Sequence, residues 1–145
     1  MHLTRNRDRP AAQQWASVAL IAVLSAGLWF GWFAWDTEYQ YDAATGRMGG
    51  PYAVWQGVGA FLCSIVVVWF ASRLLRFAVA LLVIPASFTF AWITTAAATD
   101  VTGLWIVGAV LIAFGTTVGA AAMLAIAAPV EATGTKARVS AAASD

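Results

Sequence analysis

Chemistry in this chain would have to come from very few side chains. It has one cysteine, Cys63, one histidine, His2, and seven acids. A lone thiol excludes an intrachain disulfide, a CxxC redox pair and a Cys/His zinc site. Its plainest role is a small apolar filler. His2 lies far from any apolar stretch, where an intramembrane haem ligand would have to sit. No Ser/His, paired-Asp or metal-ligating pattern is present for hydrolysis. Catalytic, cofactor and metal residues are therefore expected to be none.

The acids Asp36, Glu38 and Asp42 form the one cluster that could hold a cation. Calcium wants six to eight oxygens at organised spacing, and this spacing fits no such loop. A solvated acidic loop is the expectation. The remaining polar candidates are Gln56, Thr94, Thr95, Thr116 and Thr117. Gln56 could bridge to Thr94 or Thr95, or face lipid headgroups. Threonine hydroxyls in membrane helices usually bond back to their own helix or to a neighbour.

These residues are positioned by charge-free runs. No Asp, Glu, Lys or Arg occurs in 10–35, 48–72, 77–99 or 101–130. Each run exceeds the ~20 apolar residues that cross ~30 Å of hydrocarbon. Only 10% of residues are charged and mean hydropathy is +0.77, so the apolar surface must face lipid. Backbone groups in lipid need partners within their own segment, and Ser64 to Phe70 does not alternate as a barrel strand would. The expected fold is an all-α membrane protein: an up-down four-transmembrane-helix bundle over 13–128. Its spans are 13–35, 52–72, 76–98 and 102–128, with cytoplasmic tails 1–12 and 129–145, the latter disordered. Helix 1 is read as a retained anchor, because it ends in Trp29 to Trp35 with no small-x-small cleavage site. Pro85 should kink helix 3 near Leu81 to Ile84, and Pro129 should end helix 4.

Arg5, Arg7, Arg9, Arg73, Arg76, Lys136 and Arg138 belong to the tails and the second loop; the first loop has only Arg47. The positive-inside rule then puts both termini in the cytoplasm. The link from Ser72 to Arg76 contains no Gly, Pro or Asn, yet a helix through it would hold two arginines at mid-membrane, at several kcal/mol. A tight turn is expected. The outer loop, Asp36 to Pro51, reads as a β-hairpin: Glu38 to Tyr41 alternate and Asp42 to Gly46 suit a turn. Trp32, Trp35, Trp55, Trp92 and Trp105 should form an outer aromatic belt, or line a pocket there; Trp15 and Trp69 belong to the opposite face.

The stretch Glu38-Tyr39-Gln40-Tyr41-Asp42, with Thr45-Gly46, Gly50-Pro51-Tyr52 and Trp55-Gln56, resembles small four-helix integral membrane proteins of high-GC bacteria. That resemblance implies a plasma-membrane location and carries no activity.

Packing is the most specific signal. Gly27-x-x-x-Gly31 and Gly115-x-x-x-Gly119, with Gly108 on much the same face as the latter, let backbones approach closely in lipid. Helix 4 is expected to be central or to touch another protein. No span has an acid or base to couple proton transport, and net charge is +1, without a basic face for nucleic acid. The expected function is a non-enzymatic accessory or interaction protein of the bacterial envelope. Its partners would be the lipid bilayer and another membrane protein or a second copy. The alternative is a small-solute or ion channel or transporter, formed by an oligomer through Thr-bearing faces.

Overall fold

The computed structural model describes residues 3–6, 10–36, 40–42, 46–49 and 52–142; at 40, 42, 47–49 and 128–142 only the backbone is described. Glu38, Thr45, Gly50 and Pro51 of the expected hairpin lie outside the described residues, as do 143–145 of the C-terminal tail.

Four helices hold most of the described residues: α1 Ala11–Trp32, α2 Val54–Leu74, α3 Phe77–Thr99 and α4 Trp105–Ala142. All four are long and apolar enough to cross a membrane, α4 over Trp105–Ala127. Their outward surface suits lipid and would not suit water: Val54, Leu82, Phe90, Phe114 and Ile126 are all at least 70% exposed. Between α1 and α2, β1 (Gln40–Asp42) pairs antiparallel with β2 (Arg47–Gly49), Tyr41 opposite Met48. Gly46, at φ +65°, turns the chain into β2.

Helix α4 departs from the expected end at Pro129. It continues as helix to Ala142. Pro129 removes one donor, but the residues after it include Glu131, Ala132, Lys136, Ala137 and Arg138, all good helix formers. At the other end α4 starts at Trp105 rather than 102, because Asp100 to Leu104 form a turn. Helix α3 runs unbroken through Pro85.

The core lies where the helices meet: Ile21 of α1, Val68 and Ala71 of α2, Ala80 and Ile84 of α3, and Ala120 and Leu124 of α4. Helix α3 packs on α1 and on α4, and α2 packs on α1. A buried Ser25 hydroxyl donates to the Ile84 carbonyl at 2.9 Å and ties α1 to α3. Helix α4 is the most exposed of the four spans, which departs from a central placement and leaves its surface open for the other expected role, contact with another protein. Only 11% of its span is buried, against 28% for α2 and α3.

The short link between α2 and α3 is held by the N-terminal segment. Leu75 and Arg76 are extended, and Leu75 forms an antiparallel bridge with Thr4. Arg5 N–H donates to the Leu74 carbonyl and Arg76 N–H to the Leu3 carbonyl, both at 3.2 Å. An added strand of backbone therefore supplies what no turn residue does. Thr4 is fully buried there, and Leu3 N–H donates to Gln14 Oε1 at 2.8 Å. The segment read as a free tail is thus partly a structural element. It also brings Arg5 to the same end as Arg73 and Arg76.

Candidate functional site

At the opposite end, the last turn of α1 meets the first turn of α2 and the last turns of α3. Gln56 is fully buried. Its side chain caps α2 by accepting from Ala53 N–H at 2.6 Å. Its amide nitrogen donates to the Trp32 carbonyl at 3.2 Å and to Asp36 Oδ2 at 3.1 Å. Gln56 therefore ties α2 to the end of α1, and meets neither Thr94 nor Thr95.

Trp29 is the centre of an aromatic cluster. It is 4% exposed. It stacks on Phe33 and meets Tyr52, Phe88 and Trp92 edge-on, with centroids 5.4–6.5 Å apart. Its indole N–H donates to Thr95 Oγ1 at 2.9 Å. Trp55 packs against Trp32 and Trp35 beside it. These rings fill the space between helix ends as well as ringing the outside. The belt reading did not single out Trp29, because hydropathy alone does not separate an inward from an outward tryptophan.

The threonines each satisfy a backbone carbonyl of their own helix. Thr94 donates to Ala91, Thr95 to Trp92, Thr116 to Ile112 and Thr117 to Ala113, at 2.6–2.9 Å. Thr95 and Thr94 share α3, but only Thr95 reaches another helix, through Trp29. Thr116 lines a cavity of about 260 Å³ between the helices, with Ser25, Ser64, Phe88 and Gly119. Its walls are mostly apolar. Thr89, deeply buried on α3, has a hydroxyl oxygen with no partner among the described residues.

The glycines divide into two kinds. A Cβ at Gly108 would lie 2.6 Å from the Trp92 ring, and one at Gly59 would overlap the Trp32 ring. Both glycines admit an indole. Gly59 was not singled out from the sequence, where its spacing from Gly57 marks no known packing motif. A Cβ at Gly27, Gly31, Gly115 or Gly119 would meet nothing within 4 Å. Both GxxxG pairs are thus unused by the described contacts of the chain itself.

No group of three His, Cys, Asp or Glu side chains that could hold a metal occurs among the described residues. Of the acidic loop, Glu38 and the Asp42 side chain lie outside them, and Asp36 is engaged by Gln56. Between α3 and α4, Asp100 accepts from Thr102 N–H and hydroxyl and from Trp105 N–H, at 2.6–2.8 Å. The Thr102 hydroxyl and the backbone N–H groups hold its carboxyl below the usual carboxylate range.

Searched against family models, curated proteins and solved structures, the chain matches none.

Proposed function

We propose that this chain is a non-enzymatic accessory or interaction protein of the bacterial plasma membrane, which associates through the small-residue faces of α1 and α4. The observation that carries this reading is the open space over the exposed Gly27, Gly31 and Gly115, whereas the space over Gly119 belongs to the cavity between the helices. In lipid, small residues four apart drive association by close backbone contact. Here that surface is spare, on the least buried helix and on α1. The partner is another membrane protein or a second copy of the chain.

In this reading the helices form an up-down bundle with both termini in the cytoplasm and the β1–β2 hairpin outside. Support comes from the basic end, where Arg5, Arg73 and Arg76 gather, against the aromatic end with Trp29, Trp32, Trp55 and Trp92.

The test is proximity transfer between two differently labelled copies in native membranes, together with mild-detergent isolation. Wild type should give transfer or recover a stoichiometric partner. Gly27→Ile with Gly31→Ile, or Gly115→Ile, should abolish it while helix content stays unchanged, since the added atoms at these exposed positions enter open space. Repeated recovery of the bare monomer, with no transfer, overturns the reading.

A further inference from the structure

Helices α2 and α4 leave a groove of about 340 Å³ between them, floored by Val68 and Met123 and walled by Phe61, Ile65, Trp69 and Ile126. Phe61, Ile65, Trp69 and Ile126 are 46–70% exposed, so the groove is open to the side. Its inner end is continuous with the cavity between the helices, because Phe61, Val68 and Met123 line both. Its other end, toward the basic end of the molecule, is different in kind. Ser72 and Arg73 form the rim. The Arg73 guanidinium sits over the Trp69 ring, 5.4 Å from its centroid. The Arg5 guanidinium donates to the Ser72 carbonyl at 3.2 Å. One end of an apolar groove thus carries two cations.

We infer that this groove holds one acyl chain of an anionic phospholipid, its phosphate at the Arg73 guanidinium. Three properties select this occupant. The groove is apolar along its length, so it takes hydrocarbon. From Phe61 to Arg73 it follows twelve residues of α2, roughly 18 Å at 1.5 Å per residue. That is close to one leaflet of a ~30 Å hydrocarbon core, the reach of one chain from headgroup to midplane. The cationic rim lies at the headgroup level, where Trp69 fits by its amphipathic ring, and guanidinium binds phosphate in a fork. An extended polypeptide segment would need polar partners for its backbone, which this groove does not offer. The leaflet is the one at the basic end. The inference is independent of the proposed association, since neither Arg73 nor the groove floor belongs to the open glycine positions.

Native mass spectrometry of the protein from mild detergent tests it, with phosphatidylglycerol and phosphatidylcholine of identical chains as probes. Wild type should retain one phosphatidylglycerol with an apparent Kd about tenfold below that for phosphatidylcholine. Arg73→Gln should bring the two lipids level, and Arg73→Lys should restore much of the preference. Ala127→Phe, which fills the groove, should reduce retention of both. Equal retention of the two lipids by the wild type overturns the inference and needs no variant. So does an unchanged preference in Arg73→Gln, or retention of free oleate with exclusion of phosphatidylglycerol.

Discussion

At the basic end the chain reverses between α2 and α3 through two extended residues, Leu75 and Arg76, held by backbone hydrogen bonds to Leu3 and Arg5. At the aromatic end the joints are closed by side chains. Gln56 binds α2 to α1, Trp29 sits among four rings, and Asp100 closes the turn into α4. Both ends must satisfy backbone groups freed where helices stop. The basic end does so with a distant segment of main chain. The aromatic end does so with bulky or polar residues next to the joint. The basic end should therefore fail by loss of a strand, and the aromatic end by loss of a single side chain.

The largest effect is expected from Trp29→Ala. It removes a buried indole and leaves Phe33, Tyr52, Phe88 and Trp92 without their shared centre. Large-to-small changes of this kind cost about 3–5 kcal/mol in water-soluble cores. In a membrane the transfer part is smaller, but the lost packing remains. Thermal unfolding in mild detergent should show a marked fall in midpoint. A variant as stable as wild type would mean that the aromatic end is not held by Trp29.

Gly59→Leu comes next. Its side chain would occupy the place of the Trp32 ring, and overpacking typically costs about 1–3 kcal/mol. The same change at Gly115 should cost little in the isolated protein, because that position is open. Comparing the two by thermal unfolding separates glycines that admit an indole from glycines that face outward. Equal losses at both positions would erase that distinction.

These particulars show what was legible in the sequence. The four spans follow from gaps between charges, and their ends agree to within three residues except at the C-terminal end of α4. Charge gaps report where lipid can be, and burial in lipid leaves helix as the only solution for each segment. They do not report which side of a helix meets its neighbour. Leu, Val and Phe face lipid and core alike, so α4 read as central or as touching another protein, and it is the most exposed of the four. The GxxxG pairs were visible, and their use was not: only Gly108 of the glycines singled out touches a ring. Gln56 stood out as the buried polar residue, but its partners Trp32 and Asp36 come from how two helix ends happen to meet. Least legible was the N-terminal segment. Leu3-Thr4-Arg5 has no strand pattern, and its pairing follows from a need elsewhere, the unsatisfied backbone of Leu74 and Arg76.

The basic end is tested by Arg5→Pro. It deletes the N–H that donates to the Leu74 carbonyl, and with it the guanidinium that donates to the Ser72 carbonyl, while the groups of the Arg76-to-Leu3 bond remain. One such bond contributes about 1 kcal/mol net. Hydrogen exchange should rise at Arg76, whose own donor depends on the same pairing, while amides around Gln56 keep their protection. Loss of protection at both ends together would mean that the ends are not independent joints.

The smallest effect belongs to Asp100, at the surface of the aromatic end. Hydrogen bonds from Thr102 and Trp105 lower its pKa in the folded chain. A group with a depressed folded pKa stabilises the fold above its unfolded pKa, near 3.9 for Asp, and that contribution fades as pH falls through the folded value. From neutral pH down to about pH 4 the turn from Asp100 to Trp105 should therefore hold, and below that it should loosen. Exchange protection at Thr102 and Trp105, corrected for the intrinsic rate at each pH, reads the change directly. In Asp100→Asn the amide can still accept from Thr102, but its nitrogen cannot accept from Trp105. Trp105 should then be less protected at every pH, with the acid-dependent step gone. Since α4 is the least buried helix, its first turn leans on this carboxylate more than on packing. If Trp105 kept its protection in Asp100→Asn, packing against α3 would be the stronger hold, and the joint into α4 would be closed by packing rather than by the carboxylate.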